Sequence, residues 1–224
     1  MSPWSSPLRV VIGSVDTATI TNTEQSEEWF AARLGKVTAS RVADLMATTK
    51  SGFSTSRANY MAELICERLT GRKEESYTNG AMQWGTEKEP QARASYEFLQ
   101  NATVLECGFI DHHSIPMFGA SPDGMIGDDG LVEIKCPNTA THIDFLLAGN
   151  IPSKYVLQMQ TQMACAGRKW CDFVSFDPRL PDDMQMFVKR VVFDQQTVSD
   201  IQDATVKFIS ELEVKIAQLH ARAA

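Results

Sequence analysis

Within SPDGMIGDDGLVEIKCP (residues 121–137), three residues combine into a chemistry: Asp123, Glu133 and Lys135. In an extended strand, side chains two apart share a face, so Glu133 and Lys135 lie on one side of the chain and Val132, Ile134 and Cys136 on the other. The segment MIGDDGLVEIKC reads as a hairpin with a Gly-Asp-Asp-Gly turn, which folds Asp123 back beside Glu133. Two converging carboxylates next to an ammonium suit a hard divalent cation such as Mg²⁺, which prefers a few carboxylates, waters and phosphate oxygens. The lysine can polarise or deprotonate the attacking water, or offset negative charge developing on phosphorus, an arrangement for phosphodiester hydrolysis. The plainer reading of the same residues is turn chemistry at SPDG and a solvated edge-strand face at Glu133 and Lys135.

Two further segments bear on this choice. WGTEKE places Glu89 at the expected start of a helix, although Thr86 and Glu89 also match a capping box and Glu87 competes for any role. YVLQMQTQM sets Gln158 and Gln162 on one helical face with Tyr155, where amides can orient water or phosphate or simply form a polar stripe.

The elements that must position these residues follow from patterning. SEEWFAARLG reads as a helix capped by Ser26 and closed near Gly35, and TASRVADLMA as a second, starting near Thr38 or Ser40. Residues 48–55 read as a polar loop carrying Lys50 and Gly52. ANYMAELICERLTG has helical spacing and stops at Gly71, while the next helix, from WGTEKEP, should hold Pro90 in its first turn. TVLECGFID, PMFGAS, CDFVSFD and MFVKRVVFD read as strands, and HIDFLLAG and PSKYVLQMQTQMACAGR as helices. The expected fold is therefore α/β, a central mixed β-sheet flanked by helices. One domain is expected over 1–224, with an arm at 1–22 holding a short strand at 10–12, and a long amphipathic helix at 195–224.

Composition narrows the setting. No apolar run approaches the roughly 18 residues that span a membrane, and the N-terminus lacks a secretory pattern. Five scattered cysteines without a C-x-x-C pair fit a reducing cytoplasm and argue against zinc or a disulfide framework. The net charge of −7 is unusual for a nucleic-acid binder. Between Arg33 and Arg57, however, five bases face only Asp44, giving +4 locally.

The order Glu, Asp, Glu-x-Lys, Gln resembles the PD-(D/E)xK nuclease superfamily, with its restriction-endonuclease-like core. RLGKVTAS, WGTEKE, SPDG, EIKCP and YVLQ, within matching segments from about residue 29 to 193, resemble more narrowly the family of phage lambda exonuclease and YqaJ-type viral recombinases. The resemblance implies a Mg²⁺-dependent exonuclease, with Mn²⁺ able to substitute. It would degrade the 5′-ended strand of linear double-stranded DNA processively, 5′ to 3′, leaving a 3′ single strand for recombination. It also implies a ring-shaped homotrimer, a single-strand-annealing partner and a cytoplasmic location, in the host cell if the protein is phage-encoded. Asp123, Glu133 and the Ile134 carbonyl would bind metal, Glu89 and Gln158 would complete the site, and Lys135 would activate or stabilise the attacking water. Arg33, Ser40 and Ser121 match a 5′-phosphate pocket, where a plain cap at Ser40 and a surface charge at Arg33 are the alternatives. Met82 falls where relatives carry a wedge against the terminal base pair, in competition with a core role. Lys50 falls where relatives grip DNA with an arginine, with Arg57 further on as a second DNA-binding candidate, and a lysine there loses bidentate geometry. The alternatives on the same core are a sequence- or structure-specific endonuclease and a catalytically inactive DNA-binding or assembly protein.

Overall fold

The computed structural model describes residues 26–50, 52–73 and 80–223. The expected arm at 1–22 and its strand at 10–12 lie outside the described residues. In chain order the elements are α1 (Glu27–Arg33), β1 (Val37–Thr38), a 3-10 turn (Ala39–Arg41), α2 (Val42–Met46), β2 (Thr48–Thr49), β3 (Gly52–Phe53), α3 (Thr55–Thr70) and α4 (Gly80–Gln100). Then follow β4 (Val104–Leu105), β5 (Ile110–Asp111), β6 (Phe118–Ala120), β7 (Gly124–Ile126), β8 (Gly130–Lys135), α5 (Thr139–Ala148) and α6 (Ser153–Ala166). The chain closes with β9 (Trp170–Phe176), β10 (Met186–Val192) and α7 (Gln195–Ala223).

The main sheet has the order β10-β9-β8-β7-β4, with β8 and β9 parallel and the other pairs antiparallel. A smaller sheet, β1-β6-β5, carries the segment leading into SPDG. The alternation read from β8 holds. Val132 and Ile134 pack with Val174 and Phe176 under Ala92 and Tyr96 of α4, while Leu131 joins Cys171 and Phe173 under Phe145, Met159 and Met163 of α5 and α6. The mixed sheet is thus covered on both faces, as the patterning predicts. The stripe of α7 closes a third cluster, where Ile201, Phe208 and Leu212 pack on Val42, Leu45, Tyr60 and Leu64, each such burial stabilising by about 1.5–3 kcal/mol.

Four local expectations need correction. The segment 48–55 is not all loop, because Thr48–Thr49 pairs with Gly52–Phe53. Threonine favours extended backbone, and the hairpin delivers Phe53 to the Arg57 guanidinium, 3.7 Å above its ring. TVLECGFID divides into two strands, one in each sheet, rather than forming one. The helix expected from Trp84 starts at Gly80, so Pro90 lies in its interior rather than its first turn. Ala81, Met82 and Gln83 are good helix formers, and Trp84 packs against the core cluster beneath α4, so tertiary packing outweighs the proline penalty. Thr86 and Glu89 therefore form no capping box; both sit within the helix.

Candidate active site

The β7–β8 register pairs Gly124 with Val132, which places Asp123 beside the Glu133–Ile134 segment. The Ile134 N–H donates to Asp123 Oδ2 at 2.6 Å. A Cβ on Gly124 would come 2.1 Å from a Val104 methyl, so this close strand approach requires glycine immediately after Asp123. Glu133 is fully buried and Asp123 nearly so. A carboxylate without solvent needs partners, and Glu133 has three. Lys135 Nζ pairs with Oε1, Gln158 Nε2 donates to Oε1 at 2.6 Å, and Gln162 Nε2 donates to Oε2. Both amides come from consecutive turns of α6, which Ser153 opens and Gly167 closes in a left-handed conformation at φ 64°.

Burial alone would lower the Lys135 pKa, but the Glu133 and Asp123 carboxylates outweigh it and hold the ammonium well above an ordinary lysine. Glu89 is half-buried, ion-paired to Arg93 at 2.8 Å, and within electrostatic reach of Lys135 and Glu133. Burial raises its pKa, with Arg93 and Lys135 opposing. Glu87 is exposed, so Glu89 is the glutamate of WGTEKE that lies near the cluster.

A cavity of about 150 Å³ opens over this cluster, lined by Trp29, Arg33, Ala39, Ser40, Ser121, Asp123, Lys135 and Gln158. It has room for a phosphate group and a few waters, at roughly 30 Å³ per water. Ser121 Oγ accepts from Arg33 Nη1 at 3.1 Å and from Trp29 Nε1 at 3.0 Å, and Ser40 Oγ lies 3.3 Å from Thr38 Oγ1. The Arg33 guanidinium also stacks on Trp29, 4.1 Å from the ring centre. Sequence reasoning missed Trp29; its indole N–H offers no spacing signal, because its partner lies 92 residues away.

Met82, 55% exposed, is not a core methionine. With Arg33, Lys36, Ser40 and Arg41 it lines an adjoining cavity of about 300 Å³. Lys50 sits exposed in the turn between β2 and β3. Arg57 differs from the expectation. It is buried, paired with Glu211 at 2.9 Å and stacked on Phe53, so it ties α3 to α7 rather than presenting its charge to a ligand.

The donor set at the cluster is all oxygen: two carboxylates and the nearby Ile134 carbonyl. Among the described residues no group of three or more His, Cys, Asp or Glu side chains gathers as a metal cage. Mg²⁺ needs no such cage, since one or two carboxylates with waters and phosphate oxygens suffice. The residues fit that ion.

Paired carboxylates and a Glu-x-Lys motif on the central strand of a mixed sheet flanked by helices define the PD-(D/E)xK class. Residues 28–169 match the YqaJ-like viral recombinase domain, and the chain belongs to that family. It is 57% identical to an alkaline exonuclease from Laribacter hongkongensis, with a TM-score of 0.83, covering 88% of this chain and 98% of that one. A crystal structure of that exonuclease in complex with dAMP is likewise similar, at 58% identity and a TM-score of 0.83. A phage-related exonuclease from Haemophilus somnus shares the fold, at 15% identity and a TM-score of 0.65 over 84% of this chain and 96% of that chain. An uncharacterised protein of Acanthamoeba polyphaga mimivirus is 26% identical over 183 residues, 74% of this chain. The match covers only 31% of that viral protein's length.

Proposed function

We propose that this nuclease is a Mg²⁺-dependent exonuclease acting on the 5′-ended strand of linear double-stranded DNA. It would proceed processively, 5′ to 3′, releasing mononucleotides and leaving a 3′ single strand for recombination. One observation carries the reading. Arg33, Ser40 and Ser121 share a single small cavity with Asp123, Lys135 and Gln158. An anion pocket within one nucleotide's reach of the cleavage residues measures cleavage from a terminal phosphate.

The residues divide the work. Ser121 Oγ accepts from both Trp29 and Arg33, which leaves its own proton free to donate, and Arg33 supplies charge for a terminal phosphate. Asp123, Glu133 and the Ile134 carbonyl would hold the metal. Bound there, Mg²⁺ supplies Lewis-acid polarisation of the scissile phosphate and makes water more acidic. Lys135 stays an ammonium beside Glu133 and offsets the charge that builds on phosphorus. Gln158 lines the cavity with Lys135 and would orient the attacking water. Glu89, held by Arg93, adds negative charge behind the pair. Met82 would press on the terminal base pair and Lys50 would touch the duplex, and the exposure of both supports those roles.

A homotrimeric ring would gather exposed Lys50 and the Arg33 pocket around a channel and leave the acidic remainder outside, which would reconcile a net charge of −7 with DNA. A single-strand-annealing protein is the proposed partner, in the cytoplasm of the host cell. Among the described residues no helix is long and apolar enough to cross a membrane.

The test is a linear duplex with one 5′-phosphate and one 5′-hydroxyl end, beside the same DNA closed as a circle, with Mg²⁺ and with chelator. Mononucleotides from the phosphorylated 5′ end, an intact circle and silence in chelator are expected. Cutting of the circle would replace this reading with an endonuclease; binding without cleavage would leave a DNA-binding or assembly role.

A further inference from the structure

We infer that Gln162 is a positioning residue that locks the metal-binding carboxylate and the 5′-phosphate pocket into one frame. The inference rests on the site reading above and deepens it.

Gln162 is fully buried and does not line the cavity, so it acts through other groups. Its Nε2 donates to two acceptors, Glu133 Oε2 and the Ser121 carbonyl at 3.3 Å. Those acceptors belong to the two ends of the proposed site. Ser121 presents its hydroxyl to Arg33, and Glu133 takes Lys135 and Gln158 on its other oxygen. One amide therefore closes a continuous path from Arg33 through Ser121 and Glu133 to Lys135. Neither acceptor can shift without stretching a bond to the other.

The other half of the amide supports the same conclusion. Gln162 Oε1 is buried with no hydrogen-bond partner among the described residues. An amide in a purely structural core position would have its oxygen paired, or would give way to an apolar side chain of similar length. The cost is retained here together with donors aimed at the site. Gln158, one turn earlier, differs in that it reaches only Glu133 and lines the cavity itself. Outer residues that orient a metal-binding carboxylate typically change metal affinity or activity by about 10–100-fold when removed.

The test compares full-length wild type with Gln162→Met, which keeps the length and loses both donors. Mn²⁺ binding is followed by electron paramagnetic resonance without DNA, and the rate ratio for 5′-phosphorylated over 5′-hydroxyl duplex is measured with metal saturating. Gln162→Met should weaken Mn²⁺ binding by about 10–100-fold and lower the phosphate-to-hydroxyl ratio several-fold. If that variant does not fold by circular dichroism, Gln162→Asn, whose shorter arm cannot span both acceptors, is read the same way. A lowered melting temperature with Mn²⁺ affinity and end preference both within twofold of wild type would reduce Gln162 to packing and overturn the inference. Should the wild type release no nucleotide from either end, the exonuclease reading falls, and the Mn²⁺ shift alone still decides whether Gln162 positions Glu133.

Discussion

Lysine 135 is the counter-charge for a carboxylate with no access to water, and replacing it by methionine isolates that role. Glu133 is 0% exposed, and Lys135 is its only ion-pair partner among the described residues. Breaking a buried pair by removing one member typically costs about 3–5 kcal/mol, because the remaining charge is left uncompensated. Two features lower that figure here. The Lys135 side chain is 29% exposed, so part of its attraction is screened, and two glutamine amides still hold Glu133. The expected loss for Lys135→Met in chelator is about 2–3 kcal/mol, or roughly 4–12 °C in melting temperature for a chain of this size. A divalent cation supplies the missing positive charge, so saturating Mg²⁺ should return most of the loss and stabilise the variant more than the wild type. Activity should stay down by at least about 100-fold even then, since the ammonium is absent from the charge-building step. The assay is thermal denaturation followed by circular dichroism, in chelator and over a Mg²⁺ series. Wild-type melting of Lys135→Met in chelator would refute the charge-balance argument, as would equal Mg²⁺ stabilisation of both proteins.

Other outcomes follow from single contacts. Arg33→Ala should cut the rate on 5′-phosphorylated ends by about 10–100-fold and leave 5′-hydroxyl ends nearly unchanged, given about 1.5–3 kcal/mol for a charge-assisted hydrogen bond; equal loss on both ends would remove Arg33 from the pocket. Gly124→Ala should cost about 1–3 kcal/mol in urea denaturation and lower activity, since its Cβ collides with Val104 and shifts Asp123. Pro90→Ala should raise stability by about 1–3 kcal/mol, because it restores an N–H inside α4; unchanged stability would mean the helix has already relaxed around the ring. In a thiol-labelling time course at neutral pH, exposed Cys66 should react first. Cys136 should stay protected until unfolding, since burial, reinforced by Glu89, pushes its pKa up to about 12.

The hairpin and its charges were legible because local rules fix them. A Gly-Asp-Asp-Gly turn sets the register, and the two-residue period puts Glu133 and Lys135 on one face. The helices capped by Ser26 and closed by Gly71 and Gly167 were equally local. What the sequence hid depends on partners far along the chain. Arg57 is expected from the resemblance to face DNA, yet Glu211, 154 residues away, draws it inside. Trp29 carries no signal of a role in the sequence, and only the fold brings its indole N–H to Ser121. Gln158 and Gln162 share a helical face in any reading, but which one faces the cavity and which is walled in depends on how α6 leans on the sheet. Pro90 misled for the opposite reason. The local rule that ends helices at proline was outweighed by the packing of Trp84 on the core.

The central claim is that Asp123, Glu133 and the Ile134 carbonyl form the metal site. It is tested most directly by locating Mn²⁺ through its anomalous scattering in crystals of the wild type soaked with the ion. The account predicts a peak about 2.0–2.3 Å from oxygens of Asp123, Glu133 and Ile134, facing the cavity lined by Arg33 and Ser121 and lost in Asp123→Asn. A strong peak elsewhere, with these oxygens bare, would contradict it.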